Sequence, residues 1–185
     1  RIRNCNRTDE GNREILMKGV HPMETLRFSD FLDSYIQTMP DSMQDGMLYR
    51  LTYAENLTRL TFYVTFPQLV PANDLFSLEK TLQQALEIET VRIAPNYTAT
   101  LCQTAYFPEL LQLLKREQPV VNGFFDHAQI QQDGQNWTIT LKNGGYEIVQ
   151  RYHVAEQLQN LLQRLFSVSI KVEILGEAAV STESY

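Results

Sequence analysis

The chain has 185 residues, of which 43% are hydrophobic and 21% charged, and its formal net charge at pH 7 is −6. This composition is that of a globular protein with enough apolar residues for a sizeable core, which excludes an intrinsically disordered or fibrous chain. The acidic balance argues against non-specific nucleic-acid binding over the whole surface, because such binding depends on Lys and Arg that displace phosphate counterions. Since no apolar run reaches the roughly 18 residues needed to cross a bilayer, we expect a cytoplasmic protein.

The first 24 residues are rich in Asn, Arg and Gly and show no sustained periodicity. We therefore predict residues 1–24 to be a disordered leader. One of the two cysteines, Cys5, lies in this leader, and Cys102 lies far from it in the sequence. A disulfide would tie a mobile tail to the body of the protein, so we expect two free thiols.

A first set of elements follows the leader. Apolar residues at helical spacing predict a helix from Phe28 to Met39, which Pro40 ends. Two alternating runs then predict a β-hairpin, in which each strand has one apolar face; these faces are Met47, Tyr49, Leu51 and Tyr53, and Leu60, Phe62, Val64 and Phe66. A helix with Leu75, Leu78 and Leu82 and a short strand with Val91 and Ile93 complete a unit that we place at residues 25–98.

The same order of elements is predicted again in residues 99–176. A leucine-rich helix ends at Gln118-Pro119, and residues 120–130 are predicted as a long or bulged strand. Asp133-Gly134 is predicted as the turn to a second strand. One or two helices are then predicted within 146–166, and a strand over 168–174, before a linker tail at 177–185. The predicted fold class is α+β, with two consecutive αββαβ units of the type II KH-like kind, each a small sheet with helices packed on one face.

Few residues are candidates for chemistry. His21, His127 and His153 have no second His or Cys at ligand spacing beside them, so we predict no metal site. Asp126-His127 has no serine or cysteine nucleophile motif to activate, and the sequence contains neither of the glycine-rich phosphate-binding patterns. We predict no catalytic residue, no cofactor and no small-molecule substrate.

Gly144 and Gly145 form a weak candidate contact to nucleic acid, together with Lys142 and Arg151. The glycine pair lies between a predicted strand and a predicted helix, where backbone amides can face an anion, and Lys142 is adjacent. The alternative is structural, because glycine also occurs wherever the backbone requires positive φ. The KH-type G-x-x-G loop is absent.

Three segments carry a resemblance to a known family: RLTFYVTFPQLVPANDLFSLEKTLQQAL, YFPELLQLLKREQPVVNG and HVAEQLQNLLQRLFSVSIKVEI. Together they resemble the N-terminal region of PolC-type DNA polymerase III alpha subunits, the replicative polymerases of low-GC Gram-positive bacteria. Family members start close to the first helix, so the resemblance implies Met17 as the natural beginning.

The resemblance implies a module that precedes the metal-binding PHP, exonuclease, OB and polymerase parts of a DNA-directed DNA polymerase with 3′-5′ exonuclease activity. No catalytic residue is carried over to this segment. The first unit is also similar to the polymerase-binding domain of the clamp-loader tau subunit, which implies tau or the single-stranded-DNA-binding protein as partners, with no membrane contact. The alternative is a KH-like single-stranded nucleic-acid-binding module, in which Lys142, Arg151, Arg164 and Lys171 act with Trp137 and Tyr146.

Overall fold

The structure, a computed structural model, describes residues 12–15, 26–54, 58–121 and 123–176. It divides into two compact units, Arg1–Leu101 and Cys102–Tyr185. The boundary predicted from the sequence lies three residues earlier, between residues 98 and 99. Each unit contains a small sheet with helices packed on it, which confirms the predicted α+β class. The tail at 177–185 lies outside the described residues.

The first unit is built around a five-stranded sheet. Its elements are β1 (Asn12–Ile15), β2 (Leu26–Arg27), α1 (Phe28–Leu32), β3 (Met47–Ala54), β4 (Arg59–Thr65), α2 (Ala72–Leu86) and β5 (Thr90–Asn96). The strand order is β1-β3-β4-β5, with β2 also paired to β3. The β3–β4 hairpin is antiparallel, as predicted, and β5 returns through α2 to lie parallel to β4.

The second unit has a three-stranded sheet of the same plan. Its elements are α3 (Phe107–Glu117), β6 (Gln129–Asp133), β7 (Asn136–Leu141), α4 (Tyr146–Arg151), α5 (Val154–Phe166) and β8 (Lys171–Gly176). Strands β6 and β7 form an antiparallel hairpin, and β8 lies parallel to β7. The stretch predicted as one or two helices is thus two helices.

The cores lie where the hydrophobic stripes predicted them. In the first unit Phe62, Val64 and Phe66 are at most 1% exposed, and the ring of Phe28 on α1 lies 5.5 Å from that of Phe62. Gly46 is required at this point because a Cβ there would lie 2.5 Å from the ring of Phe66. In the second unit, Leu158 and Leu162 of α5 are buried, and so is Ile139 of β7.

Strand β3 differs from the prediction in which residues face the core. A β-bulge interrupts its pairing between Leu48 and Arg50, so Leu48 lies opposite Val64 and Arg50 lies opposite Tyr63. Leu48 is therefore buried, whereas Tyr49 is 45% exposed. The predicted common face for Met47, Tyr49, Leu51 and Tyr53 is wrong, because the extra residue reverses the alternation on one side of the bulge.

Three further predictions need correction. Residues 1–24 are not wholly a disordered leader, because Asn12–Ile15 forms β1 and pairs antiparallel with β3; the other leader residues lie outside the described part of the chain. Helix α1 ends at Leu32 rather than Met39, since the amides of Tyr35 and Ile36 both donate to the Leu32 carbonyl and close a turn.

The long strand predicted over 120–130 is also wrong. Gly123 and His127 both have positive φ, of 84° and 60°, which a strand does not accommodate. Residues 119–121 form a 3₁₀ turn instead, and the strand begins only at Gln129.

Both units protect the edge of their last strand in the same way. The amide of Thr90 donates to the carbonyl of Thr58, so the amide of Ile93 points away from β4; it donates to Oε1 of Glu79 on α2 at 2.8 Å. In the second unit the amide of Val172 donates to Oε1 of Gln159 on α5, also at 2.8 Å. A helix side chain therefore occupies a backbone donor that would otherwise be open at each edge.

Candidate functional site

The glycine pair of the second unit has a clear structural role. Gly144 and Gly145 both have positive φ, of 72° and 81°, and Gly145 is the residue from which α4 begins. A Cβ on Gly145 would collide with the ring of Phe124, whereas a Cβ on Gly144 would meet no atom within 4 Å. Gly145 thus allows both a left-handed backbone and close packing of an aromatic ring.

We expect Gly145→Ala to lower the free energy of unfolding of the second unit by about 2 kcal/mol, and Gly144→Ala by about 1 kcal/mol. Both variants place a Cβ on a left-handed backbone, but only the first also collides with Phe124. Urea unfolding followed by tryptophan fluorescence measures the difference, because the single tryptophan, Trp137, lies in this unit. Equal losses for the two variants would show that the contact with Phe124 is unimportant.

The other two proposed nucleic-acid contacts, Lys142 and Arg151, lie on either side of the glycine pair along the chain. Arg151 is exposed in the last turn of α4, at the opposite end of that six-residue helix from Gly145, or about 9 Å along its axis. Lys142 is half-buried at the end of β7. The four residues Lys142, Gly144, Gly145 and Arg151 thus extend from the end of β7 to the end of α4, and their contact to nucleic acid stays a prediction.

Two residues of the alternative nucleic-acid hypothesis are engaged elsewhere. Trp137 is 1% exposed, so its ring lies in the core and offers no surface to a base. Arg164 donates to both carboxylate oxygens of Glu117 at 2.9 Å and joins α5 to α3. The assignment of Trp137 as a stacking residue is wrong, because the alternation that places it on β7 also turns it toward the helices.

The histidines lie at exposed backbone turns. His127 and His153 both have positive φ, and His153 precedes α5, where Nδ1 lies 3.6 Å from Oε1 of Glu156. Within the described ranges, no group of three His, Cys, Asp or Glu side chains is arranged to hold a metal ion.

Cys102 is a free thiol whose pKa is raised by partial burial, so the thiol form predominates at pH 7. Cys5 and His21 lie outside the described residues.

A cluster that the sequence prediction missed lies on the first sheet, on the face opposite α1 and α2. The guanidinium carbon of Arg50 lies 3.7 Å from the centre of the Tyr63 ring, and the rings of Tyr49 and Tyr63 are 6.3 Å apart. We call Tyr49, Arg50 and Tyr63 the aromatic–arginine cluster. The β-bulge creates it, because in a regular strand the side chains of residues 49 and 50 would point to opposite faces.

One signal in the sequence could have indicated the cluster. Met47, Leu48 and Tyr49 are three consecutive apolar residues, so Leu48 is out of phase with the alternation that was used to assign the strand faces. Such a break is compatible with a bulge, but it does not show where the extra residue is accommodated.

The fold and these surfaces define a class of small two-layer α+β modules, each a sheet with helices on one side. Residues 27–94, from the end of β2 into β5, match the family model described as DNA polymerase III polC-type N-terminus I. Residues 27–94 of the first unit are therefore similar to the N-terminal region of PolC-type DNA polymerase III, which confirms over these residues the resemblance seen in the sequence. No curated protein and no solved structure matches the chain.

None of the helices in the described ranges has the length and apolar character needed to span a bilayer.

Proposed function

We propose that this chain is a non-catalytic interaction module of a bacterial replicative DNA polymerase of the PolC type, which acts in the cytoplasm and tethers the enzyme to other replisome proteins. The observation that supports this most directly is the similarity of residues 27–94 to the family described as DNA polymerase III polC-type N-terminus I. The proposed partners are the clamp-loader tau subunit and the single-stranded-DNA-binding protein.

The exposed apolar side chains provide candidate anchors for a protein partner. Ile148 on α4 is 39% exposed and Tyr152, which follows that helix, is 47% exposed. The amide of Tyr152 donates to the carbonyl of Ile148, so the two residues are one helical turn apart. Large apolar and aromatic side chains of this kind dominate the binding energy of protein interfaces. We therefore place the anchor of the proposed interaction at Ile148 and Tyr152.

The test is a pull-down of purified tau and of purified single-stranded-DNA-binding protein with the immobilised 185-residue chain. We expect at least one of them to be retained, and we expect the double substitution Ile148→Ser and Tyr152→Ala to reduce its affinity by about tenfold or more. Tyr35→Ala is the matched control, because Tyr35 is 48% exposed but lies in the other unit. Retention of neither protein would contradict the proposed tethering role.

A further inference from the structure

The turn between β7 and α4 contains an asparagine that is directly followed by a glycine, Asn143-Gly144. Both residues are exposed, and the backbone of Gly144 has a positive φ of 72°. A Cβ on Gly144 would meet no atom within 4 Å, so no packed group covers this side of its backbone. The peptide group between the two residues is therefore open to water.

The fold uses the side chain of Asn143 but not the amide of Gly144. Among the described residues, no acceptor is hydrogen-bonded to the Gly144 amide. Nδ2 of Asn143 donates to the carbonyl of Asp126 at 3.0 Å. This hydrogen bond engages the carboxamide nitrogen and not Cγ, the carbon to which that nitrogen is attached. An electrophilic carbon and an unengaged backbone nitrogen thus belong to adjacent residues.

We propose that Asn143 is a site of spontaneous deamidation, in which the backbone nitrogen of Gly144 attacks Cγ of Asn143. The amide loses its proton to hydroxide, and a bond forms between its nitrogen and Cγ. The bond from Cγ to Nδ2 breaks, and Nδ2 takes up a proton from water and leaves as ammonia. Water then opens the resulting succinimide ring at either carbonyl, which gives aspartate or isoaspartate at position 143. The reaction consumes one water molecule and needs no oxidant or reductant.

Two other asparagines show why the residue that follows decides this reaction. Asn73 precedes Asp74, whose amide already donates to the carbonyl of Pro71 at 3.0 Å. Asn160 precedes Leu161 inside α5, where the helix both engages the amide and fixes the backbone. Intramolecular attack requires the two atoms to reach a near-attack geometry, which an exposed glycine turn permits and a helix opposes.

Deamidation changes how the turn is held. The hydrogen bond of Asn143 joins the turn to the loop 123–128, whose Phe124 ring packs against Gly145. A carboxylate at position 143 has no proton to donate to the carbonyl of Asp126, so two acceptor oxygens then face each other. Isoaspartate also adds one carbon to the backbone directly before Gly144. The loop that carries Phe124 is therefore held less tightly after the reaction.

The site is tested by incubating the purified 185-residue chain at mildly alkaline pH and taking samples over time. Trypsin cleaves after Lys142 and Arg151, so residues 143–151 are recovered apart from the other Asn-Gly pair, Asn122-Gly123, whose asparagine lies outside the described residues. Fragmentation by electron transfer in a mass spectrometer distinguishes asparagine, aspartate and isoaspartate. We expect conversion at position 143 to be about tenfold faster or more than at Asn160. Equal rates at the two positions would overturn the proposal.

A synthetic peptide of residues 138–151 is the control that does not depend on folding. We expect Asn143 in the folded chain to react within about tenfold of its rate in the peptide. A larger protection by the fold would contradict the proposal. Gly144→Ala places a side chain beside the attacking nitrogen and should slow the reaction in the peptide and in the chain by about tenfold or more. An unchanged rate in both would exclude attack by this nitrogen.

The structural consequence is measured on Asn143→Asp, which reproduces one product of the reaction. The amides of Asp126 and Ala128 donate to the carbonyls of Gly123 and Phe125, within the loop that the asparagine holds. We expect hydrogen exchange at these two amides to accelerate by about fivefold, since the variant loses one hydrogen bond to the loop. Unchanged exchange would show that the Asn143 side chain does not hold the loop. None of these outcomes involves tau, so the proposed tethering role is tested separately.

Discussion

Substitution of Trp137 by alanine is expected to lower the free energy of unfolding of the second unit by about 3–5 kcal/mol. Trp137 is 1% exposed and lies on β7, the central strand of its sheet, opposite Val172 of β8. Removing its side chain leaves a cavity between the sheet and the helices that the close-packed surroundings fill only in part. The measurement is urea unfolding followed by far-ultraviolet circular dichroism, because the variant has no tryptophan.

Trp137→Phe is the matched control, with an expected loss of about 1–2 kcal/mol. Nε1 of Trp137 is buried and has no hydrogen-bond partner among the described residues. Phenylalanine fills much of the same space and also removes this unpaired donor, which partly offsets the loss of volume. If the alanine variant proved as stable as the phenylalanine variant, the ring would not be the core residue that the structure shows.

The second large effect is expected at Glu79, where substitution by alanine should cost about 3 kcal/mol. The Glu79 side chain is 5% exposed, and its two oxygens accept from the amide of Ile93 at 2.8 Å and from Nη1 of Arg92 at 3.4 Å. The alanine variant leaves the amide of Ile93 without its acceptor at a buried strand edge, and a hydrogen bond to a charged group is worth more than one between neutral groups. Glu79→Gln retains an oxygen at this position and should cost about 1 kcal/mol.

Amide hydrogen exchange at Ile93 gives a readout that a general loss of packing would not reproduce. In Glu79→Ala, we expect exchange at the Ile93 amide to accelerate more than exchange at the neighbouring amides of β5. In Glu79→Gln, we expect exchange at the Ile93 amide to change little. Gln159→Ala should have the equivalent effect on the amide of Val172 in the second unit, where the acceptor is neutral. Uniform acceleration along β5 in Glu79→Ala would contradict a specific role for this hydrogen bond.

Local patterns were sufficient to predict much of the fold. The alternation in β4 and β7 and the turn at Asp133-Gly134 identify the hairpins, because one face of each strand must be apolar to cover a core. The leucine stripes of α3 and α5 identify the long helices for the same reason. These features depend on residues that are close together in the sequence.

The features that sequence reasoning missed depend on residues that are distant in the sequence. The pairing of β1 with β3 needs a partner almost forty residues away, and nothing in the segment Asn12–Ile15 indicates that partner. The first turn of α1 has no side-chain cap; instead, the amide of Phe28 donates to the carbonyl of Gly46. The position of the bulge is set by how Leu48 and Leu51 both reach the core, which only the three-dimensional arrangement decides.

The candidate site was predictable only as a set of residue types. Lys142, Gly144, Gly145 and Arg151 are close in the sequence, but α4 separates the glycines from Arg151. Tyr49 and Tyr63 were both visible as aromatic residues of a hairpin, but the prediction placed Tyr49 in the core. A single inserted residue changed that side chain from part of the core to part of the surface.

Glu79 and Gln159, which accept hydrogen bonds from the outer edge of the last strand in each sheet, limit the association of copies of this chain at high concentration. An open strand edge invites another chain to continue the sheet, and repeated addition of this kind leads to aggregates. On β5 two neighbouring edge positions lack a free amide proton. The amide of Ile93 is already hydrogen-bonded to Glu79, and Pro95 has no amide proton. A neighbouring polypeptide that approaches this side finds no continuous row of donors, so the sheet cannot serve there as a template for further growth.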